Sequence, residues 1–173
     1  LYNKKNLDGI KKACDIASKT LDIIDDLIEP GITTLSLDKA CHEFILSKNA
    51  IPATLGYRGY PKSCCISLNH VVCHGIPGEK KLKNGDILNV DVTCIFDGWY
   101  GDTSRMFIVG DINLKAKRLI EITHESLLKG IEKAMPGNTF GDIGEAIQSF
   151  VEKNKMSVVK DFCGHGIGSD FHQ

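Results

Sequence analysis

The sequence predicts an α+β fold with its helices in two similar pairs and its strands gathered between them. Three observations carry that reading. Leu7, Ile10, Cys14, Ala17, Leu21, Ile24 and Ile28 recur every three or four residues, which places one apolar stripe on a long helix. Residues 86–109 alternate around Asp97-Gly98, a two-residue turn signal for an antiparallel hairpin. A shift of 106 residues carries Pro30-Gly31 onto Pro136-Gly137, Thr33 onto Thr139, Leu37 onto Ile143, Ala40 onto Ala146, Phe44 onto Phe150 and Ile45 onto Val151. Agreement of helix length, stop signal and second-helix face points to an internal duplication.

Each element has its own signal. Pro30-Gly31 stops the first helix. Ser36 reads as the N-cap of a second helix, with Leu37, Ala40, Cys41, Phe44 and Ile45 on its inner face. Residues 52–63 form a Gly/Pro/Tyr loop. Residues 64–78 read as two short strands closed by a Pro-Gly turn, and the hairpin follows. A third helix spans Leu114 to Met135, and a fourth runs from about Asp142 to Lys153. The whole is one domain over 1–173, with 1–110 as the first repeat and 111–173 as the start of the second. The second copy reaches Gln173 before any counterpart of the hairpin.

Composition narrows the function classes. The 173 residues are 42% hydrophobic and 25% charged, with a net charge of −1 and scattered lysines. Nothing there suits a nucleic-acid partner. No run of eighteen apolar residues and no signal-peptide pattern occurs, so neither a membrane span nor export is expected. The seven cysteines (14, 41, 64, 65, 73, 94 and 163) are odd in number and include no C-x-x-C pair. They read as free thiols of a reducing cytoplasm.

The hairpin holds an anomaly. Asp91 and Asp102 sit inside its strands, where aspartate is depleted. A two-residue loop pairs Phe96 with Trp99, Asp91 with Ser104 and Thr93 with Asp102. The two aspartates are then diagonal neighbours on one face, roughly 7–8 Å apart at the backbone. Leu88, Val90, Val92, Cys94 and Phe96 form the opposite, apolar face. Two like charges on a partly enclosed face repel and desolvate badly, and a shared divalent cation removes both costs. From the hairpin alone, a bound cation and a solvated face with two ordinary aspartates explain the pair equally well.

The histidines separate into two groups. His42, His70 and His124 read as structural hydrogen-bonders. His74 lies in "CHGIPG", at a strand end beside a tight turn. His165 and His172 lie in "FCGHGIGSDFHQ", where Gly164, Gly166 and Gly168 argue against a helix and allow close backbone approach.

These segments carry a resemblance. "CHGIPGEKKLKNGDILNVDVTCIFDGWYGDTSRMFIVG" and "GHGIGSDFH" closely resemble the type I methionine aminopeptidases, and "GYRGYPKSCCISLNHVVCHGIP" is similar to the segment that precedes them in that family. The likeness runs from about residue 5 to residue 172. It implies the pita-bread fold, two pseudo-symmetric α+β halves around a curved antiparallel sheet. It implies a cytoplasmic, metal-dependent aminopeptidase, monomeric and close to the ribosome, that removes the initiator methionine from nascent proteins.

By position, the resemblance makes Asp91 a bidentate ligand of one metal, Asp102 a bridge between two, and His165 a ligand of the second. His74 and His172 become the histidines that contact the peptide and steady the tetrahedral intermediate. Tyr57, Tyr60, Cys65 and Phe171 surround the methionine side chain, an aromatic and sulfur lining that suits a thioether. Two divalent ions are implied, of Co, Mn, Fe or Zn, all compatible with carboxylates and one imidazole.

The chain departs from the family pattern in three ways. The family's two remaining ligands are glutamates of the second half, which the 173 residues do not reach. Arg58 stands where the family commonly has histidine, and Thr54 where it often has cysteine. The expectation is that the 173-residue chain alone is inactive and poorly folded, with an open sheet edge. Two other readings stand beside the enzyme: a proline-specific relative on the same fold, and a non-catalytic peptide-binding protein or inactive fragment.

Overall fold

In the computed structural model, which describes residues 2–173, helix α1 (Lys4–Asp25) starts from a reciprocal cap. The Asn3 side chain accepts from the Asn6 amide, and the Asn6 side chain accepts from that of Asn3. The buried stripe is Ala13, Ile16, Ala17, Thr20, Leu21 and Ile24. This corrects the expected stripe at its N-terminal end, where Leu7 is exposed and Ile10 and Cys14 are only half-buried. The helix also stops before Pro30. The chain leaves it early so that Ile28 and Ile32 reach the core and the Gly31 amide donates to Leu82 O at 2.8 Å.

Helix α2 (Thr34–Ser47) is capped by Thr33, not by Ser36 as the sequence suggested. A β-bridge to Lys81 holds Thr33 extended, so its hydroxyl is the one placed to accept from the Ser36 amide at 3.0 Å. Ser36 lies inside the first turn, with its hydroxyl 2.8 Å from that of Thr33.

The sheet is antiparallel throughout. Strand β3 (Ile87–Phe96) pairs with β4 (Trp99–Ile108) along one edge, and with β1 (Ile51–Pro52) and β2 (Cys65–Leu68) along the other. Asp97 and Gly98 both have positive φ (49° and 79°), the two-residue turn whose twist matches paired strands. The register is therefore the expected one: Phe96 faces Trp99, Asp91 faces Ser104 and Thr93 faces Asp102. Leu88, Val90, Val92 and Cys94 are fully buried against α1 and α2, together with Leu21, Ile24, Leu37 and Ile45.

The second short strand expected within 64–78 does not form. One ladder bond, Ile66 N to Gly75 O at 2.8 Å, is made there. His74 then takes a left-handed backbone (φ 55°), which no strand tolerates. His74 thus sits on an irregular loop and not at a strand end.

These elements, with His165–Gln173, form one compact unit, and Asn113–Gly164 forms another. The second unit is a helical pair, α3 (Leu114–Lys133) and α4 (Phe140–Lys153). Gly130 lets α4 approach: a Cβ there would stand 2.8 Å from Ile147 Cδ1. Helix α4 starts two residues earlier than expected because Thr139 caps it and Asp142 returns the bond to the Thr139 amide. Helix α3 ends at Lys133, short of Met135. The bounds of α4 are those of α2 displaced by 106, and a threonine caps each. Among the described residues, no helix is long and apolar enough to cross a membrane, and all seven cysteines are free thiols.

Candidate active site

The hairpin register brings Asp91 and Asp102 onto one face, as the turn parity requires. Both are half-buried. Burial first, and then the neighbouring Asp102 carboxylate, push Asp91 up to about 7, while His165 opposes the shift. That is the signature of like charges held together in a poorly hydrated place. Thr93, 2% exposed, donates from its hydroxyl to Asp102 Oδ1 at 3.0 Å. On the other side, His165 Nε2 stands 3.3 Å from Asp102 Oδ2.

The histidine segment is attached to the sheet by its backbone. The Tyr100 amide of β4 donates to Gly168 O at 2.9 Å. The Tyr2 hydroxyl donates to Gln173 Oε1 at 2.6 Å and accepts from the Ser169 amide at 3.2 Å. Rings then stack inward. Phe171 lies 5.5 Å from Tyr100, 4.5 Å from His172 and 4.7 Å from Tyr57, and His172 lies 4.3 Å from His165. The Tyr57 hydroxyl is 3.1 Å from His172 Nδ1. Desolvation, His165 and Arg58 together hold the His172 pKa below its usual value.

Tyr57, Asp91, Thr93, Asp102, His165, Phe171 and His172 line one cavity of about 580 Å³. All nine residues singled out from the sequence border it: Tyr57, Tyr60, Cys65, His74, Asp91, Asp102, His165, Phe171 and His172. Cys65 is paired with Asp91 across β2 and β3, and burial pushes its thiol up to about 11, so it is a neutral, apolar wall. The Tyr60 hydroxyl donates to Gly75 O at 2.8 Å, which ties the tyrosine loop to the loop carrying His74. Gly75 is required by the close approach of this loop to β2, because a Cβ there would fall 2.2 Å from Ile66 O.

Two positioning groups are not evident from sequence reasoning. Thr93 is one. Thr93→Val should weaken divalent-metal binding about tenfold or more, read by metal titration, because it strips a donor from Asp102 without changing shape. An unchanged affinity would show that the bond is incidental. Asp38 is another, a carboxylate on the buried side of α2 between Leu37 and Cys41. It is 7% exposed and accepts from the Ser63 amide (2.9 Å), the Cys64 amide (3.1 Å) and Cys64 Sγ (3.5 Å). His42 Nδ1 lies 2.8 Å from the Ser63 hydroxyl, the structural role expected of it. Together they fix the end of the tyrosine loop. Asp38→Ala should cost about 3 kcal/mol, since two buried amides lose their acceptor. A loss in a urea melt below about 1 kcal/mol would contradict this. An acidic residue on an apolar helix face was the available signal.

The donor set suits a divalent cation: two hard carboxylates on one face, partly desolvated, with an imidazole beside them. It is a partial set. Among the described residues, no three His, Cys, Asp or Glu side chains converge into a closed metal cage.

Known proteins resemble this chain along nearly its whole length. Residues 8–173 match metallopeptidase family M24. The methionine aminopeptidase of Rickettsia prowazekii is 57% identical over 172 residues, covering 99% of this chain and 66% of that protein. That of Escherichia coli K12 is 48% identical over 171 residues, covering 98% and 65%. The chain thus spans just under two thirds of the length of these relatives. The crystal structure of the Rickettsia prowazekii enzyme superposes with a TM-score of 0.98 over 99% of this chain and 69% of the other. The Thermotoga maritima methionine aminopeptidase, 34% identical, gives 0.97 over 99% and 70%. Prolidase from Pyrococcus furiosus, at 22% identity and a TM-score of 0.84, shares the fold. The fold is the α+β pita-bread fold, and the chain belongs to metallopeptidase family M24.

Proposed function

We propose that the protein carrying this chain is a methionine aminopeptidase that removes the initiator methionine from nascent proteins. One observation carries the reading: two strand carboxylates share one face inside a cavity whose walls include aromatic rings, a thiol and histidines. The names of the relatives at 46–57% identity support it.

Each residue has a task in that reaction. Asp91, Asp102 and His165 would hold two divalent ions, of Co, Mn, Fe or Zn, together with carboxylates supplied from elsewhere in the protein. Bound there, such ions would lower the pKa of water toward neutrality and polarise the scissile carbonyl. Tyr57, Tyr60, Cys65 and Phe171 exclude water around the methionine side chain. With Tyr57 donating to His172 Nδ1, the Nε2 proton points to the substrate and stabilises charge on the carbonyl oxygen. His74, on the loop that Tyr60 ties down, contacts the peptide from the other side. Free thiols support a cytoplasmic location, and action as a monomer close to the ribosome belongs to the same reading. Residues 1–110 and 111–173 are read as the first repeat and the start of the second.

The test is methionine release from Met-Ala-Ser by the full-length protein. Release should be abolished by chelation and restored by one of the four ions. Release that chelation leaves untouched would overturn the metal reading. The partial donor set favours a second reading for the 173-residue chain on its own, peptide binding without catalysis. Methionine release by that chain at the full-length rate would exclude it.

A further inference from the structure

Arg58 has no task in the reaction above, yet its placement is specific. Its backbone is left-handed (φ 48°, ψ 31°), a conformation disfavoured for a residue with a Cβ. The turn is closed by backbone bonds: Gly56 N to Tyr60 O at 2.8 Å, Gly59 N to Gly56 O at 3.2 Å and Tyr60 N to Tyr57 O at 2.9 Å. Glycines at 56 and 59, both with φ 84°, supply the remaining left-handed positions. The result is that the Arg58 guanidinium lies over the Tyr57 ring, 5.4 Å from its centroid, on the cavity wall.

The charge pattern gives this a direction. Arg58 is the one permanently cationic side chain among the described residues lining the cavity, and it is exposed. Among the described residues it forms no ion pair, so its charge is not spent within the fold. Asp91 and Asp102 are the anionic lining residues and are half-buried. The cavity therefore runs from negative inside to positive at its solvent side. A peptide whose amino end enters toward the carboxylates leads its downstream residues past Arg58.

We propose that Arg58 is a specificity-determining residue that favours peptides with a carboxylate a few residues from the amino terminus. That carboxylate is an acidic side chain or the C-terminus of a short peptide. The inference rests on the aminopeptidase reading.

The test uses the full-length protein and the amides Met-Ala-Glu, Met-Ala-Gln and Met-Ala-Lys at low ionic strength, with Met-Ala-Gln as the free acid in a fourth arm. Methionine release should follow Glu over Gln over Lys, with kcat/KM about fivefold apart between Glu and Lys, and the gap should shrink with added salt. Arg58→Gln should bring that ratio close to one, and Arg58→Lys should retain part of it. Arg58→Gly relieves the backbone and keeps the proposal testable should Arg58→Gln fold poorly; its ratio should also approach one. A free acid that outruns its amide by more than the Glu amide outruns Gln identifies the terminal carboxylate as the recognised group. Calorimetric affinities of the metal-free protein for the three amides separate the two readings. A Glu preference in affinity without methionine release would remove the aminopeptidase reading and keep Arg58's role. Methionine release at equal rates from all three amides, or a preference that survives Arg58→Gln and Arg58→Gly, would overturn the proposal. So would the absence of a Glu preference in both rate and affinity.

Discussion

Asp102→Ala in the full-length protein should lower kcat/KM for Met-Ala-Ser about a thousandfold or more, with loss of bound metal by elemental analysis. Asp102 is the residue at which the site converges. Its Oδ1 accepts from Thr93 and its Oδ2 faces His165, while its charge helps to push Asp91 up to about 7. In the proposed metal site, removing it takes away one carboxylate ligand and one anchor of His165 together. Several kcal/mol of metal-derived stabilisation are then lost, and about 4 kcal/mol is a thousandfold in rate. The same change relieves the repulsion on Asp91, so the metal-free protein should remain folded. A variant that keeps both metal content and rate would remove Asp102 from the site.

Gly101→Ala should destabilise the protein by about 3 kcal/mol or more, read as a lower urea midpoint at unchanged slope. Gly101 is buried in β4 where α1 crosses it. A Cβ there would lie 2.2 Å from Ala13 C, 2.3 Å from Ala13 O and 2.4 Å from Cys14 N. Those are backbone atoms of a helix, so no side chain can turn aside. Relief requires lifting α1 from the sheet, which opens the core around Ala17, Leu21 and Val92. Because Asp102 is the next residue, metal binding should weaken in parallel. A loss below about 1 kcal/mol would mean that the helix can slide at small cost.

The residues that read well from sequence are those whose signal is local. Asp97-Gly98 dictates its own turn, and a two-residue turn dictates register. That register puts Asp91 and Asp102 on one face before any tertiary contact is considered. The capping groups were less legible. Thr33 and Ser36 are both good caps, and the bridge from Thr33 to Lys81 chooses between them. The segment 64–78 departs from its strand pattern because alternation of apolar residues describes a strand only if the backbone stays extended, and His74 does not. The role of Asp38 is not legible locally because its partners, the amides of Ser63 and Cys64, lie 25 and 26 residues away.

The sequence by itself determined the α+β class, the hairpin and its parity, and the helix–Pro-Gly–helix offset of 106, and its likeness to a known family pointed to nine of the residues that line the cavity. The class, the hairpin and the offset follow from short-range rules of turn chemistry, period-two alternation, helical spacing and residue type; the nine positions follow from the family's motifs. Only the tertiary structure decided what holds those nine residues in place. Thr93 and His165 grip Asp102 from two sides, Asp38 anchors the tyrosine loop, Tyr60 ties that loop to His74, and Gly101 yields its side chain to α1. Each of these is a contact between segments distant in the chain or facing across the sheet, selected by which buried donors still need an acceptor and how closely two backbones must approach.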